Sequence, residues 1–246
     1  EQQMISLGER NEGYLAKVGE PLIQFYGYKT CGVWNSAEEI AANPHFSDDA
    51  PGGIRIVDTN NDGSLTPEDR VALGTPYPDF TWGITNTFQI KDFDISFLIQ
   101  GVQGITVLNG DVYYNETKKW NKKYTKNRWV SAEHPGDGKT PYQNVKTGHD
   151  LMLTDYPLQN ASYACLRNFT VGYTLPATAA RKIKLSGVRF YVSGSNLLYI
   201  WGSGYKGINP ESRMTSGNYS SAMISGYQRG GFPLTSTISA GFDINF

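Results

Sequence analysis

Leu234-Thr-Ser-Thr-Ile-Ser-Ala-Gly-Phe-Asp-Ile-Asn-Phe246 decides how the rest of this chain is read. Side chains of an extended strand point alternately to opposite faces. Ile238, Ala240, Phe242, Ile244 and Phe246 therefore share one face, and Thr237, Ser239, Gly241, Asp243 and Asn245 share the other. The apolar face continues to the last residue, an aromatic. Such a strand suits a transmembrane β-barrel, apolar toward lipid and polar toward the lumen. A half-buried strand of a soluble sandwich carries the same alternation, so the choice rests on the remaining segments.

The 246 residues carry a formal net charge of −1, which gives no electrostatic pull toward nucleic acid, and no nucleic-acid partner is expected. Only 18% of residues are charged, 13% are aromatic and 27 are Gly. No apolar run approaches the ~18 residues that a membrane helix needs, so a membrane would be crossed by strands. Cys31 and Cys165 form neither metal-ligand spacing nor a disulfide framework and read as free thiols. The chain starts at Glu1 without initiator Met or signal-type segment, which suits a piece of a larger exported protein.

The alternation recurs in pairs of segments joined in turn by short and long connections. Phe80, Trp82, Ile84, Phe88 and Ile90 share one face, interrupted only by Asn86, against Thr81, Gly83, Thr85, Thr87 and Gln89. After a tight turn at Lys91 and Asp92, Phe93, Ile95, Phe97 and Ile99 alternate with Asp94, Ser96, Leu98 and Gln100, which predicts a hairpin. Further strands carry Phe169, Val171, Tyr173 and Leu175, and then Val188, Phe190 and Val192, as their apolar faces. The expected strands are 79–90, 93–101, 163–175, 187–199 and 234–246. The stretches 102–160 and 201–232 are far longer than ordinary connections and read as functional surface loops. Short turns on one side and long loops on the other match outer-membrane barrels. The 91–92 turn and the basic 177–185 connector then lie on the periplasmic side, and the long loops and the residues before Pro78 lie outside. Five strands cannot close such a barrel, which needs an even number from ~8 upward in bacterial single chains. The remaining strands are expected elsewhere.

The first 78 residues read as an external region, and 79–246 as barrel strands with their loops. Ser36 and Glu39 form a capping box before a short helix that must stop before Pro44. Asp58-Thr-Asn-Asn-Asp-Gly-Ser-Leu-Thr-Pro-Glu-Asp69 has the spacing of an EF-hand-type loop. Asp58, Asn60, Asp62, Thr66 and Asp69 take the side-chain oxygen positions, Ser64 the carbonyl position and Gly63 the sharp turn. Structural Ca²⁺ is the expected ion, with Mg²⁺ as competitor. Asp in place of Glu at the twelfth position shortens the reach to the ion. The bland alternative is that Thr66, Pro67 and Asp69 simply start a helix through Val71 and Leu73.

Other candidates carry less. Gly202-Ser-Gly-Tyr-Lys-Gly207 matches a dinucleotide fingerprint as a string, but no helix follows to receive a pyrophosphate. His45, His134 and His149 are scattered, no nucleophile elbow is present, and no enzyme activity is expected. Tyr113, Tyr114, Trp120 and Trp129 sit among lysines in the first long loop and are candidates for stacking on sugars or peptides, with loop packing as the alternative.

Several strings in order carry a family resemblance: VGEPLIQFYGYKTCGVW (18–34), DTNNDGSLTPEDR (58–70), GTPYPDFTWGITNTF (74–88), KDFDISFLIQGVQG (91–104), CLRNFTVGYTLP (165–176), VRFYVSGSNLL (188–198) and GINPE (207–211). With the terminal aromatic strand, they resemble the C-terminal part of SusC/RagA-like TonB-dependent outer-membrane transporters of Bacteroidetes. The resemblance implies an all-β fold, a barrel of ~22 strands with a plugged lumen. It also implies a SusD-like surface lipoprotein as partner, import of glycans or oligopeptides with energy relayed by TonB, and an extracellular position for the Asp58–Asp69 loop. The family's plug and TonB-contacting segment lie N-terminal to the residues present, so the N-terminal remainder is an expected partner, as is outer-membrane lipid. Phe242, Ile244 and Phe246 are the expected assembly signal for the barrel insertion machinery. The rival is a secreted, calcium-stabilised β-sandwich that binds carbohydrate through the same acidic loop and exposed aromatics.

Overall fold

The computed structural model describes residues 2–4, 13–112, 126–144, 147–212 and 226–246. Among these described residues six strands precede Pro78: β1 Gln2–Met4, β2 Tyr14–Lys17, β3 Gln24–Gly27, β4 Thr30–Val33, β5 Ile54–Ile56 and β6 Val71–Gly74. Eight follow: β7 Phe80–Ile90, β8 Phe93–Gln103, β9 Thr106–Asn109, β10 Leu158–Asn160, β11 Tyr163–Thr174, β12 Gly187–Trp201, β13 Tyr227–Gln228 and β14 Thr237–Asn245. The five long strands form one antiparallel sheet in the order β14-β12-β11-β8-β7. All five sequence-expected strands are present. β8 and β12 run further than expected, and β14 starts three residues later, after Pro233.

Register turns five separate alternations into one surface. Phe88 pairs with Ile95, Ile95 with Val171, Val171 with Val192 and Val192 with Ala240. One row away Phe93, Tyr173, Phe190 and Phe242 line up in the same manner. Directly opposed residues share a face, so the apolar rows of all five strands lie on one side, with Leu98 and Val102 exceptions on the other. Phe80, Ile84, Phe88, Phe190, Val192, Ile200, Ile238 and Phe242 are all exposed there. An apolar surface of this extent marks an interaction with lipid or protein. Gly101 lies under Trp82 on this face, and a Cβ at that position would collide with the indole.

The opposite face is polar and tied together across strands. Arg189 Nε and Nη2 donate to both oxygens of Asp94, at 3.0 and 2.6 Å, and Nη1 reaches Asp243 at 3.3 Å. The guanidinium of β12 thereby crosses β11 to reach β8. It can do so because Gly172 stands between them; a side chain there would meet both Asp94 and Arg189. The hairpin turn at Lys91 uses a left-handed residue, φ +55°, and the other short connector contains the helix Ala177–Lys182.

The rest of the chain forms an outer layer of three small sheets, β1-β2-β3-β6, β4-β5 and β10-β9-β13. Its cores mix distant parts of the sequence. Tyr14, Ile23 and Phe25 pack with Leu108, Met152 and Tyr227, while Tyr28, Val33, Ile54 and Ile56 pack with Trp129 and Leu151. Residues before Pro78 therefore share their cores with both long loops, and the two proposed regions, 1–78 and 79–246, meet in common cores. The Ser36-capped helix spans Ala37–Ala41, with Ser36 Oγ accepting from Glu39 N. Glu39 answers at Asn35 N rather than at the cap residue itself.

The alternative helix through Val71 and Leu73 is not formed. Pro67–Asp69 makes a single 3₁₀ turn, Arg70 is already extended, and β6 pairs antiparallel with β3. β-branched Val71 suits a strand, and pairing with β3 places Leu73 against the first core.

Gly27 sits against the main-chain oxygen of Leu153, which also accepts from Tyr28 N at 2.8 Å. Gly27→Ala would force these backbones apart and is expected to cost about 2 kcal/mol or more. Urea unfolding of the detergent-solubilised protein, with protease sensitivity of residues 147–157, measures this; unchanged values would contradict the close approach.

Candidate functional site

Three groups of side chains stand out against this frame: the acidic loop, the aromatics of the first long loop, and a charged cluster on the polar face of the strands.

The acidic loop joins β5 of one small sheet to β6 of another. Asp58 accepts from Asn61 N and Gly63 N at 2.7 and 2.8 Å. Asn60 Oδ1 accepts from Asp62 N, and Asp62 Oδ1 from Ser64 N. Asn61 and Gly63 adopt left-handed conformations, φ +58° and +86°, which wind the backbone around the carboxylates. Asp69 turns elsewhere. It is fully buried, and its two oxygens accept from Thr59 N at 2.9 Å and Thr66 N at 2.8 Å, closing the loop on itself. Burial pushes the Asp69 carboxyl up, but the N–H groups of Thr66, Thr59 and Asn60 outweigh it and hold it below its ordinary 3.8. Among the described residues, no three carboxylate, imidazole or thiolate side chains converge as a metal cage. A cation on this loop would rest on Asp58 and Asp62 with neutral oxygens from Asn60, Ser64 and Thr66.

Of the four candidate aromatics, Tyr113, Tyr114 and Trp120 lie outside the described residues. Trp129 is buried in the second core, where its indole N–H donates to Asn35 Oδ1 at 3.2 Å and its ring meets Tyr142 edge-on at 6.0 Å. Its ring is committed to packing. Gly202 to Gly207 form a turn, with Tyr205 N donating to Gly202 O, and the Tyr205 hydroxyl donates to Gln228.

Sequence reading missed the charged cluster. A bulge in β11 between Leu166 and Asn168 has no counterpart in β8, while β12 answers it with Asn196 and Leu197. Bulges re-aim side chains, and this one delivers Arg167 to the polar face. Arg167 Nε donates to Gln100, Nη1 to Asn196 and Tyr199, and Nη2 to Glu211 at 2.5 Å. Asn196 takes a left-handed φ of +55° to take part. A cavity of about 540 Å³ lies beside the cluster, lined by Thr81, Thr85, Gln100, Tyr163 and Arg167 among others. The available signal was Arg167-Asn168, two adjacent polar residues that break the alternation of an otherwise regular strand.

No protein-family model matches the chain. The chain is 31% identical over 239 residues to TonB-dependent receptor P26 of Formosa agariphila, covering 93% of this chain and 23% of that receptor. It is 30% identical to TonB-dependent receptor P3 of the same organism, with 94% and 23% covered. TonB-dependent receptor SusC of Bacteroides thetaiotaomicron is 26% identical over 84% of this chain and 19% of its own length. The chain thus spans about a quarter of the curated relatives it matches. A solved structure of the RagAB peptide transporter superposes with a TM-score of 0.72 at 20% identity, covering 100% of this chain and 24% of that chain. The RagAB peptide importer in its open-open state gives 0.68 at 18% identity with the same coverage. The long-stranded sheet is therefore barrel wall, and its apolar face the outer one.

Asp69→Ala strips the acceptor from the Thr59 and Thr66 N–H groups and is expected to destabilise the outer layer by about 2 kcal/mol. Because the folded carboxyl titrates below its unfolded counterpart, its contribution is present above pH of about 4 and lost as pH falls through the folded value. Hydrogen exchange at Thr59 and Thr66 across that range should show acid-triggered opening in the parent and constant opening in the variant.

Proposed function

We propose that this chain, which is SusC/RagA-like in sequence and in fold, supplies wall strands and mouth of a TonB-dependent outer-membrane importer. The observation that carries the reading is the register-aligned apolar band across five strands, joined to similarity with TonB-dependent receptors over nearly the whole chain. Lipid covers the band. The free edges of β7 and β14 pair with further strands of the same barrel, supplied by the N-terminal remainder of the protein along with plug and TonB contact. The outer layer faces the exterior and meets a SusD-like lipoprotein, and the cargo is an oligomeric nutrient, glycan or oligopeptide. Transport of this kind is binding and gated passage, so the roles assigned to side chains are packing and positioning.

Fractionation of native cells tests this, with intact mass of everything that co-purifies in detergent. Recovery in the outer membrane with a lipoprotein is expected, whereas a soluble 27.3 kDa species would leave the sandwich reading standing. Removal of Phe246 should lower the amount of assembled barrel without changing transcript, since Phe242, Ile244 and Phe246 act as the assembly signal in this reading. Undiminished surface expression would refute that role.

The acidic loop belongs to the same proposal as a structural Ca²⁺ site. Support comes from the donor set Asp58, Asn60, Asp62, Ser64 and Thr66 on a backbone already wound around two carboxylates. Asp69 closes the loop beneath. Ca²⁺ should raise the apparent melting temperature in detergent and Mg²⁺ less so, with both effects abolished in Asp58→Asn and Asp62→Asn. Equal melting with Ca²⁺ and with chelator would remove the ion from the reading.

A further inference from the structure

The geometry points to Arg167 as a positioning residue that pins the base of the second long loop to the barrel wall and thereby sets the lumenal mouth. The inference rests on the transport reading for its meaning, but its structural content stands on this chain alone. Four observations converge on it.

First, the wall gives up regular pairing to present this side chain. A bulge sits at Arg167 in β11, and β12 responds with an irregularity and a left-handed Asn196. Second, the guanidinium is bound from both sides. Gln100 of β8 and Asn196 and Tyr199 of β12 hold it at 2.8 to 3.0 Å from the wall, and Glu211 holds it from the loop. Glu211 Oε1 also accepts from the Tyr199 hydroxyl at 3.1 Å. Third, Glu211 is itself fixed: Asn209 Oδ1 accepts from Glu211 N at 2.9 Å, and Asn209 Nδ2 donates to Phe232 O. Fourth, the segment is tied onward. Buried Gln228 donates through one amide nitrogen to the carbonyls of Asn209, Pro210 and Ser212, and accepts from the Tyr205 hydroxyl at 2.7 Å. Tyr227 and Gln228 form β13, which pairs with β9 of the outer layer.

These contacts make one polar chain, from Gln100 in the wall through Arg167 and Glu211 to Gln228 and the outer sheet. Arginine suits the junction because its fixed fork serves several acceptors at once, which a lysine ammonium on a flexible stem does not. With the side chains of Arg167 and Glu211 24% and 28% exposed, the pair is shielded enough to outweigh an ordinary surface ion pair.

The test uses the full-length protein in isolated outer membranes. Arg167→Met and Glu211→Gln are expected to speed tryptic cleavage after Lys206 and Arg229 about tenfold, with cleavage after Lys139 unchanged. The double variant should be no more sensitive than either single one, the signature of a shared interaction. Arg167→Lys should remain as sensitive as Arg167→Met. Glu211→Gln lies outside the strands, so it tests the pin even where Arg167→Met fails to assemble. Cleavage unchanged in Glu211→Gln, additive effects in the double variant, or equal acceleration at Lys139 would each overturn the inference. Nutrient uptake by the parent strain is measured alongside: its absence would count against the transport reading while leaving the proteolysis result to judge the pin.

Discussion

A strand in hydrocarbon has no water to satisfy its main chain, so every N–H and C=O must be met by a neighbouring strand. In the order β14-β12-β11-β8-β7 the three inner strands meet that requirement on both sides, each in a defined register. Register in turn decides which residues meet lipid, because a slip of one residue would exchange the two faces of a strand. The band through Phe88, Ile95, Val171, Val192 and Ala240 exists only because four pairings agree. Against such a constraint an irregularity is informative. The bulge at Arg167 interrupts the ladder where a side chain is needed on the other face, and the partner strand deforms to accommodate it.

The polar face obeys a different rule. Its charges are half-shielded, and an unpaired charge there would lose solvation without compensation. Arg189 is therefore clamped between Asp94 and Asp243, and Arg167 between the wall and Glu211. Each clamp spans more than one strand and leans on a local backbone feature, Gly172 in one case and the bulge in the other. Packing thus selects glycine at a position where side-chain chemistry says nothing.

The wall was legible in sequence because alternation is a local signal of period two: residues 80–90, 93–99 and 188–192 announce their faces without knowledge of their neighbours. The outer layer was not, because β2 to β6 are three or four residues long and their inward faces depend on Leu108, Met152, Trp129 and Leu151, which are distant in sequence. Trp129 illustrates the limit, since an aromatic among lysines reads equally as ligand platform or core, and the partner that decides, Asn35, lies 94 residues away. The acidic loop was legible in its spacing, but not in how Asp69 divides its oxygens between two N–H groups of the same loop. Val71 read as helix from the local start at Thr66 and Pro67, and it is strand because β3, distant in sequence, lies beside it.

Wall and outer layer are one continuous structure because the same ladders run through both. β8 ends at Gln103, whose carbonyl accepts from Asp79 N. Two residues on, the Ile105 carbonyl accepts from Ala161 N, just before β11 begins. Ser162 O likewise accepts from Gly202 N at the end of β12. Between wall and layer stands Gly104, φ +75°, pressed against the Asp79 side chain, where a larger residue would not fit. Beyond it the inward face changes character: Ile105, Val107 and Ala161 are buried in a third core with Tyr205, whereas the corresponding wall residues face the lumen or lipid. The bases of both long loops are therefore set by main-chain pairing. A long connection rooted in this way has already given up the conformational entropy of its base, so closing it costs less than closing a free loop of the same length.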